Sequence, residues 1–198
     1  MKTKIFIYIT IIAFFTLPLC AQQKFYFIPK AGLNVANISG TGGTDARIGM
    51  NVGLAVEWAI TPKLSIEPGV FYSTQGTKFP SGTKIEMDYV NVPVFAKYYV
   101  FKGFNVYAGP QFGFNVRNRL SNKASIYEAV NDGDYIKVFD PALALGAGYQ
   151  FDFGLNVSAG YSWSILNHAK KSTYGYWVGH KKDSYHNQVF QIQIGWRF

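Results

Sequence analysis

From Arg47 to Ile60 the chain alternates without a miss. Ile48, Met50, Val52, Leu54, Val56, Trp58 and Ile60 are apolar, while Arg47, Gly49, Asn51, Gly53, Ala55, Glu57 and Ala59 between them are polar or small. A period of two belongs to a β-strand, whose successive side chains point to opposite faces. The same split recurs over Phe104–Arg117, over Gly154–Ile165 and over Phe190–Phe198. Weaker versions over 25–38, 64–75, 86–100 and 139–151 bring the expected strands to eight, with Phe71 and Phe95 as apolar residues on the polar stripe. After residue 24 nothing reads as a membrane-spanning helix, because Gly and Asn recur too often.

The connections alternate in length. Short links at 59–63, 101–103 and 151–153 contrast with long polar ones near 39–46, 76–85, 118–138 and 167–186. Outer-membrane barrels have an even number of antiparallel strands, short periplasmic turns and long external loops. The expected fold is therefore all-β: an eight-stranded antiparallel up-and-down transmembrane β-barrel with both termini periplasmic.

A soluble lipocalin-like barrel alternates too, but turns its apolar side chains inward around a ligand. Composition separates the two. A soluble exterior carries roughly 25–35% charged residues, whereas this chain is 15% charged and its polar stripe is mostly Gly, Asn, Ser and Gln. Small uncharged residues suit a crowded interior. The apolar stripe is bulky, and its Trp58, Tyr98, Trp163, Trp196 and Phe198 fall near strand ends, where interfacial aromatic girdles belong.

Export explains the beginning of the chain. Lys2 and Lys4 precede an apolar run, Ile5 to Phe15, and Leu17-Pro18-Leu19-Cys20-Ala21 leads into Gln22-Gln23, the layout of a signal peptide over 1–21 cleaved after Ala21. The rival reading, a lipidated Cys20, meets bulky Leu19 where a small residue is needed. The run is about half the ~20 residues of a spanning helix. Residues 22–198 then form one barrel domain, without cysteine. That excludes disulfide staples, thiol catalysis and cysteine-ligated metal centres there.

At this point a family likeness becomes specific. Ala31-Gly32-Leu33-Asn34, Tyr89-Val90-Asn91-Val92-Pro93, Ala108-Gly109-Pro110, Gly146-Ala147-Gly148-Tyr149 and the final Gly195-Trp196-Arg197-Phe198 resemble the PorT-like outer-membrane β-barrel domain of Bacteroidetes over essentially all of 24–198. The resemblance implies a bacterial outer-membrane location and no catalytic residue. It also implies that Trp196 and Phe198, ending an alternating strand, carry the signal read by the barrel-assembly machinery. It leaves function open, since the family covers barrels of many roles, few of them true secretion components.

Eight strands leave an interior just wide enough for side chains to fill. The alternation turns Lys30, Arg47, Glu57, Glu67, Lys97, Arg117, Asp140, Asp152 and Arg197 inward. Of these, Lys30, Glu57, Glu67, Lys97, Arg117, Asp140 and Arg197 form the expected interior charge cluster. Glu57 and Glu67 flank one short turn, with Lys30, Lys97 and Arg197 at similar depth, which predicts an ion-paired plug near the periplasmic end. The other reading of the same charges is a selective ion path or proton relay. Unpaired buried charge costs several kcal/mol, which favours pairing.

The whole chain has a formal net charge of +8. Much of the excess falls in the last long loop, where Lys170, Lys171, Lys181 and Lys182 stand among Tyr174, Tyr176, Trp177 and Tyr185 with His168, His180 and His186. Lys170, Lys171, Tyr174, Tyr176, Trp177, Lys181 and Lys182 are candidates for external contact with sugars, phosphates or lipopolysaccharide; the plainer reading is a solvated loop over an anionic leaflet. Outer-membrane lipid and lipopolysaccharide are the expected surroundings, any protein partner is unidentified, and no nucleic acid is expected. The histidine spacing does not define a metal site, and no cofactor is expected.

Some small outer-membrane barrels modify lipid with a Ser and a His at the outer rim, which singles out Ser164 with His168. An orienting acid is needed behind them, and only Asp183 stands in that loop. Gly40-Thr41-Gly42-Gly43 lacks the following Lys-Ser/Thr of a phosphate-binding loop. The favoured expectation is a non-enzymatic barrel serving envelope or interaction roles. An accessory of a protein-secretion system comes next, then a small-solute pore or a lipid-modifying enzyme.

Overall fold

A computed structural model describes residues 24–39, 45–78, 84–122, 125–127, 138–166 and 186–198. The expected signal peptide and the loop candidates at 170–182 lie outside them. The strands are β1 (Lys24–Ser39), β2 (Asp45–Ala59), β3 (Leu64–Lys78), β4 (Lys84–Phe101), β5 (Phe104–Asn122), β6 (Ser125–Tyr127), β7 (Phe139–Gln150), β8 (Leu155–Ser164) and β9 (His186–Trp196).

Each strand pairs antiparallel with its neighbour, β1 pairs with β9, and β7 pairs with β5. The β4–β5 pairing closes the ring. Eight strands make the barrel, and β6 is a short return onto the end of β5. Closure leaves no sheet edge, the condition for crossing lipid with strands.

The two stripes take opposite sides. Ile48 (69% exposed) and Leu145 (64%) stand on the outside, while Asn34 and Glu57 (both 0%) are sealed inside. Apolar residues outside and polar ones inside invert the pattern of a soluble barrel. On β2 the outward apolar run from Ile48 to Trp58 covers about 24 Å at ~3.4 Å per residue and a ~45° tilt, the height of the lipid-facing band. Aromatic pairs ring its short-turn edge: Phe25–Trp58 (5.9 Å between centroids), Phe101–Phe104 (5.3 Å), Phe151–Phe153 (5.3 Å) and Phe153–Trp196 (6.0 Å).

At the other end the strands run further than the alternation reveals. β3 continues to Lys78 and β5 to Asn122, so parts of the expected loops 76–85 and 118–138 are strand. Beyond the lipid band both faces of a strand can be polar, so the ladder continues where the sequence signal stops.

One expectation is corrected here. Asp88 pairs with Arg117, but Tyr89 pairs with Asn115, which leaves Val116 as an extra residue in β5. Such a β-bulge shifts the phase of the strand by one residue and turns the following side chains over. Arg117 is consequently exposed on the outside, opposite Asp88, whose carboxylate accepts a 2.7 Å hydrogen bond from the Tyr72 hydroxyl.

Candidate functional site

The lumen contains the most organised chemistry among the described residues. The inward stripes of β1 to β4, with the segment after β9, converge on one charge cluster near the short turns. Lys97 lies between two carboxylates, at 3.3 Å from Glu57 Oε2 and in closer contact with Glu67 Oε2. Lys30 Nζ is 2.5 Å from Glu67 Oε1. The Tyr99 hydroxyl donates to Glu57 Oε1 at 2.7 Å, and Arg197 Nη2 stands 4.0 Å from the same oxygen. The Arg197 guanidinium also lies over the Tyr26 ring, 3.5 Å from its centroid, a cation–π contact.

Five of the seven residues singled out in the sequence therefore meet: Lys30, Glu57, Glu67, Lys97 and Arg197. The other two do not. Arg117 faces outward for the reason given above. Asp140 is buried near the long-loop end of β7, where its carboxylate accepts a hydrogen bond from Ser164 Oγ. Of the remaining inward candidates, Arg47 pairs with Glu86 at 3.0 Å, half-buried, and Asp152 is exposed in the turn before β8.

All the charges of the cluster come from one side of the ring. The opposite wall, β7 and β8, presents Gly146, Gly148 and Gly160, and across it lies Tyr107 of β5. A Cβ on Gly146 or on Gly160 would collide with the Tyr107 phenol. Phe95 packs on the same phenol, with centroids 5.0 Å apart. Phe71, the other apolar exception on the polar stripe, is buried and occupies the space left by Gly53 and Gly69, where added Cβ atoms would come within 2.7 and 2.6 Å of its ring.

Directly above this level the filling is a layer of uncharged amides and hydroxyls, with Asp140 and the Arg47–Glu86 pair further toward the long loops. Asn34 donates to Ser73 Oγ (2.7 Å) and accepts from Asn51, Gln193 donates to Asn51 Oδ1 (2.7 Å), and Asn187 donates to Gln75 Oε1 (2.5 Å). A cavity in mid-lumen measures about 20 Å³, room for about one water. Below the charge cluster the short-turn end opens into a vestibule of about 450 Å³.

Sequence reasoning missed Tyr26, Tyr99 and Tyr107. The available signal for Tyr107 was the run of glycines on the inward stripes of β7 and β8, which requires a large side chain from elsewhere. The Ser164–His168 pair is not assembled among the described residues, because His168 lies outside them. Ser164 gives its hydroxyl hydrogen to Asp140, and His186 Nδ1 lies 3.0 Å from the Ser164 backbone oxygen, not from its hydroxyl.

A closed antiparallel ring that is apolar and aromatic outside and filled by polar groups inside defines a transmembrane β-barrel. The chain belongs to the outer membrane protein beta-barrel domain family, whose model matches residues 20–170. None of the curated proteins matches it in sequence. Among solved structures it is similar to neisserial surface protein A, with 12% identity, a TM-score of 0.57, and 90% of this chain and 100% of that one covered. It is also similar to the attachment invasion locus protein of Yersinia pestis, solved with the heparin analogue sucrose octasulfate, with 13% identity, a TM-score of 0.52, and 88% and 99% covered. At such identities the likeness is one of fold.

Proposed function

We propose that this outer-membrane barrel is a closed, non-enzymatic scaffold of the PorT-like kind. It is exported on the signal peptide 1–21 and carries its interaction surfaces on the loops around 118–138 and 167–186. The observation that carries the reading is the filled lumen: ion pairs occupy one side of the ring, and Tyr107 with Phe95 lies against the glycine wall on the other. A conducting role needs a continuous wet path, and a lipid-modifying role needs a serine whose hydroxyl is activated by a base rather than committed to Asp140.

In this reading Trp196 and Phe198, exposed aromatics on the outward stripe of β9 and the residues after it, are what the assembly machinery recognises, and the basic aromatic loop meets lipopolysaccharide. Purified protein in planar bilayers is expected to give no stable open-channel current; steady unitary steps would overturn the closed scaffold. Deleting the gene is expected to leave protein export intact, whereas loss of export would assign the chain to a secretion apparatus.

A further inference from the structure

We propose that the vestibule at the short-turn end is an oxyanion-binding site, with Arg197 at its head and Lys24 and Lys102 at its mouth. The charge cluster does not balance. Three cations, Lys30, Lys97 and Arg197, meet two carboxylates, Glu57 and Glu67. The two lysines take the short contacts, while Arg197 stays 4.0 Å from a Glu57 that already accepts from Lys97 and Tyr99. Arg197 is therefore the cation whose charge the cluster compensates least.

Geometry turns that excess toward the vestibule. Arg197 is 21% exposed in its side chain and lines the cavity, and its stacking on Tyr26 holds the guanidinium plane in place. Its Nε is buried and has no hydrogen-bond partner among the described residues, so the exposed part of the side chain is what faces the cavity. Lys24 and Lys102 are exposed on the same cavity, whose lining holds two acids: Glu57 at its head, already engaged by Lys97 and Tyr99, and exposed Asp152 at its mouth, so that three cations face two carboxylates. The backbone at Lys102 is left-handed, with φ of 45°, in the tight turn joining β4 to β5.

A partly desolvated guanidinium with two lysines nearby favours a carboxylate or phosphate group through charge-assisted hydrogen bonds. The cavity's ~450 Å³ lies within the size range of small-molecule sites. The ligand is thus a small molecule bearing an oxyanion, entering from the short-turn side.

The test is calorimetric titration of the folded full chain in detergent micelles. Inorganic phosphate and, separately, acetate are the probes, at an ionic strength held constant with sodium chloride. One saturable site per barrel is expected for at least one probe, and the tighter of the two identifies the group as phosphoryl or carboxyl. Arg197→Gln should weaken binding at least tenfold, and Lys24→Gln with Lys102→Gln severalfold, while Arg47→Gln at the far end should leave it unchanged. If Arg197→Gln gives no heat-modifiable band and so does not fold, the double variant of two exposed lysines decides. Absence of saturable binding, or equal binding by wild type and the lysine variant, would overturn the site.

Discussion

The phenol of Tyr107 rests where a Cβ on Gly160 would have to be. The strand that carries the large side chain and the strand that makes room for it are separated in the ring by β7, so the fit depends on the inward curvature of three consecutive strands. Gly160→Ala is expected to destabilise the folded protein by about 1–3 kcal/mol, the usual cost of overpacking. Removing the hydroxyl with Tyr107→Phe should recover much of that loss, because the next ring atom is 3.3 Å from the added methyl position. Urea unfolding of the two single variants and the double variant in lipid vesicles measures the coupling. Additive effects would mean that the phenol does not occupy the glycine wall.

Lys97 is 2% exposed and contacts both Glu57 and Glu67. Replacing it with Met keeps the volume but leaves two neighbouring buried carboxylates short of a cation. A loss of about 3–5 kcal/mol follows, as for other broken buried pairs. Arg47→Gln, which breaks the partly buried pair with Glu86 and the bond to the Gln75 carbonyl, should cost less, about 1–2 kcal/mol. The same unfolding assay compares them, and equal losses would show that the lumen screens its charges as well as the rim does.

The strands and their faces were legible because lipid on one side and a narrow lumen on the other impose a strict period of two. Arg47 through Ile60 shows that constraint in its purest form. Depth was legible as well: Lys30, Glu57, Glu67, Lys97 and Arg197 could be grouped from their distance to the short turns. Individual partners were not, since Lys30 and Glu67 are 37 residues apart and reach each other past β2. Arg117 was misplaced because a single extra residue, Val116, leaves no mark in the residue types around it. The ends of β3 and β5 were taken for loops because nothing above the lipid demands alternation there.

The bulge makes its own prediction. A nitroxide attached at Arg117→Cys should collide freely with reagents dissolved outside the barrel. The same label at Asn115→Cys, two residues earlier and on the inward stripe, should be shielded. The difference is read by power-saturation electron paramagnetic resonance in vesicles. Accessibility in the reverse order would mean that the β5 ladder runs without the extra residue and that Arg117 belongs to the interior after all.

Tyr107 also decides whether the lumen can be opened. On the charged side, truncating one residue leaves long neighbours that can close the gap, since four other charged side chains converge there. On the glycine wall only short side chains such as Ser158 and Ser162 stand near the phenol, and Gly146 and Gly160, which it covers, have none to move. Tyr107→Ala should therefore join the small mid-lumen cavity to the vestibule and give planar-bilayer currents that the wild type lacks. The path so opened passes three cations and two carboxylates, so the reversal potential in a salt gradient should favour anions. Tyr107→Phe, which keeps the ring, should stay closed. A silent Tyr107→Ala barrel that still folds would mean that Phe95 and the uncharged layer above it seal the lumen without the phenol.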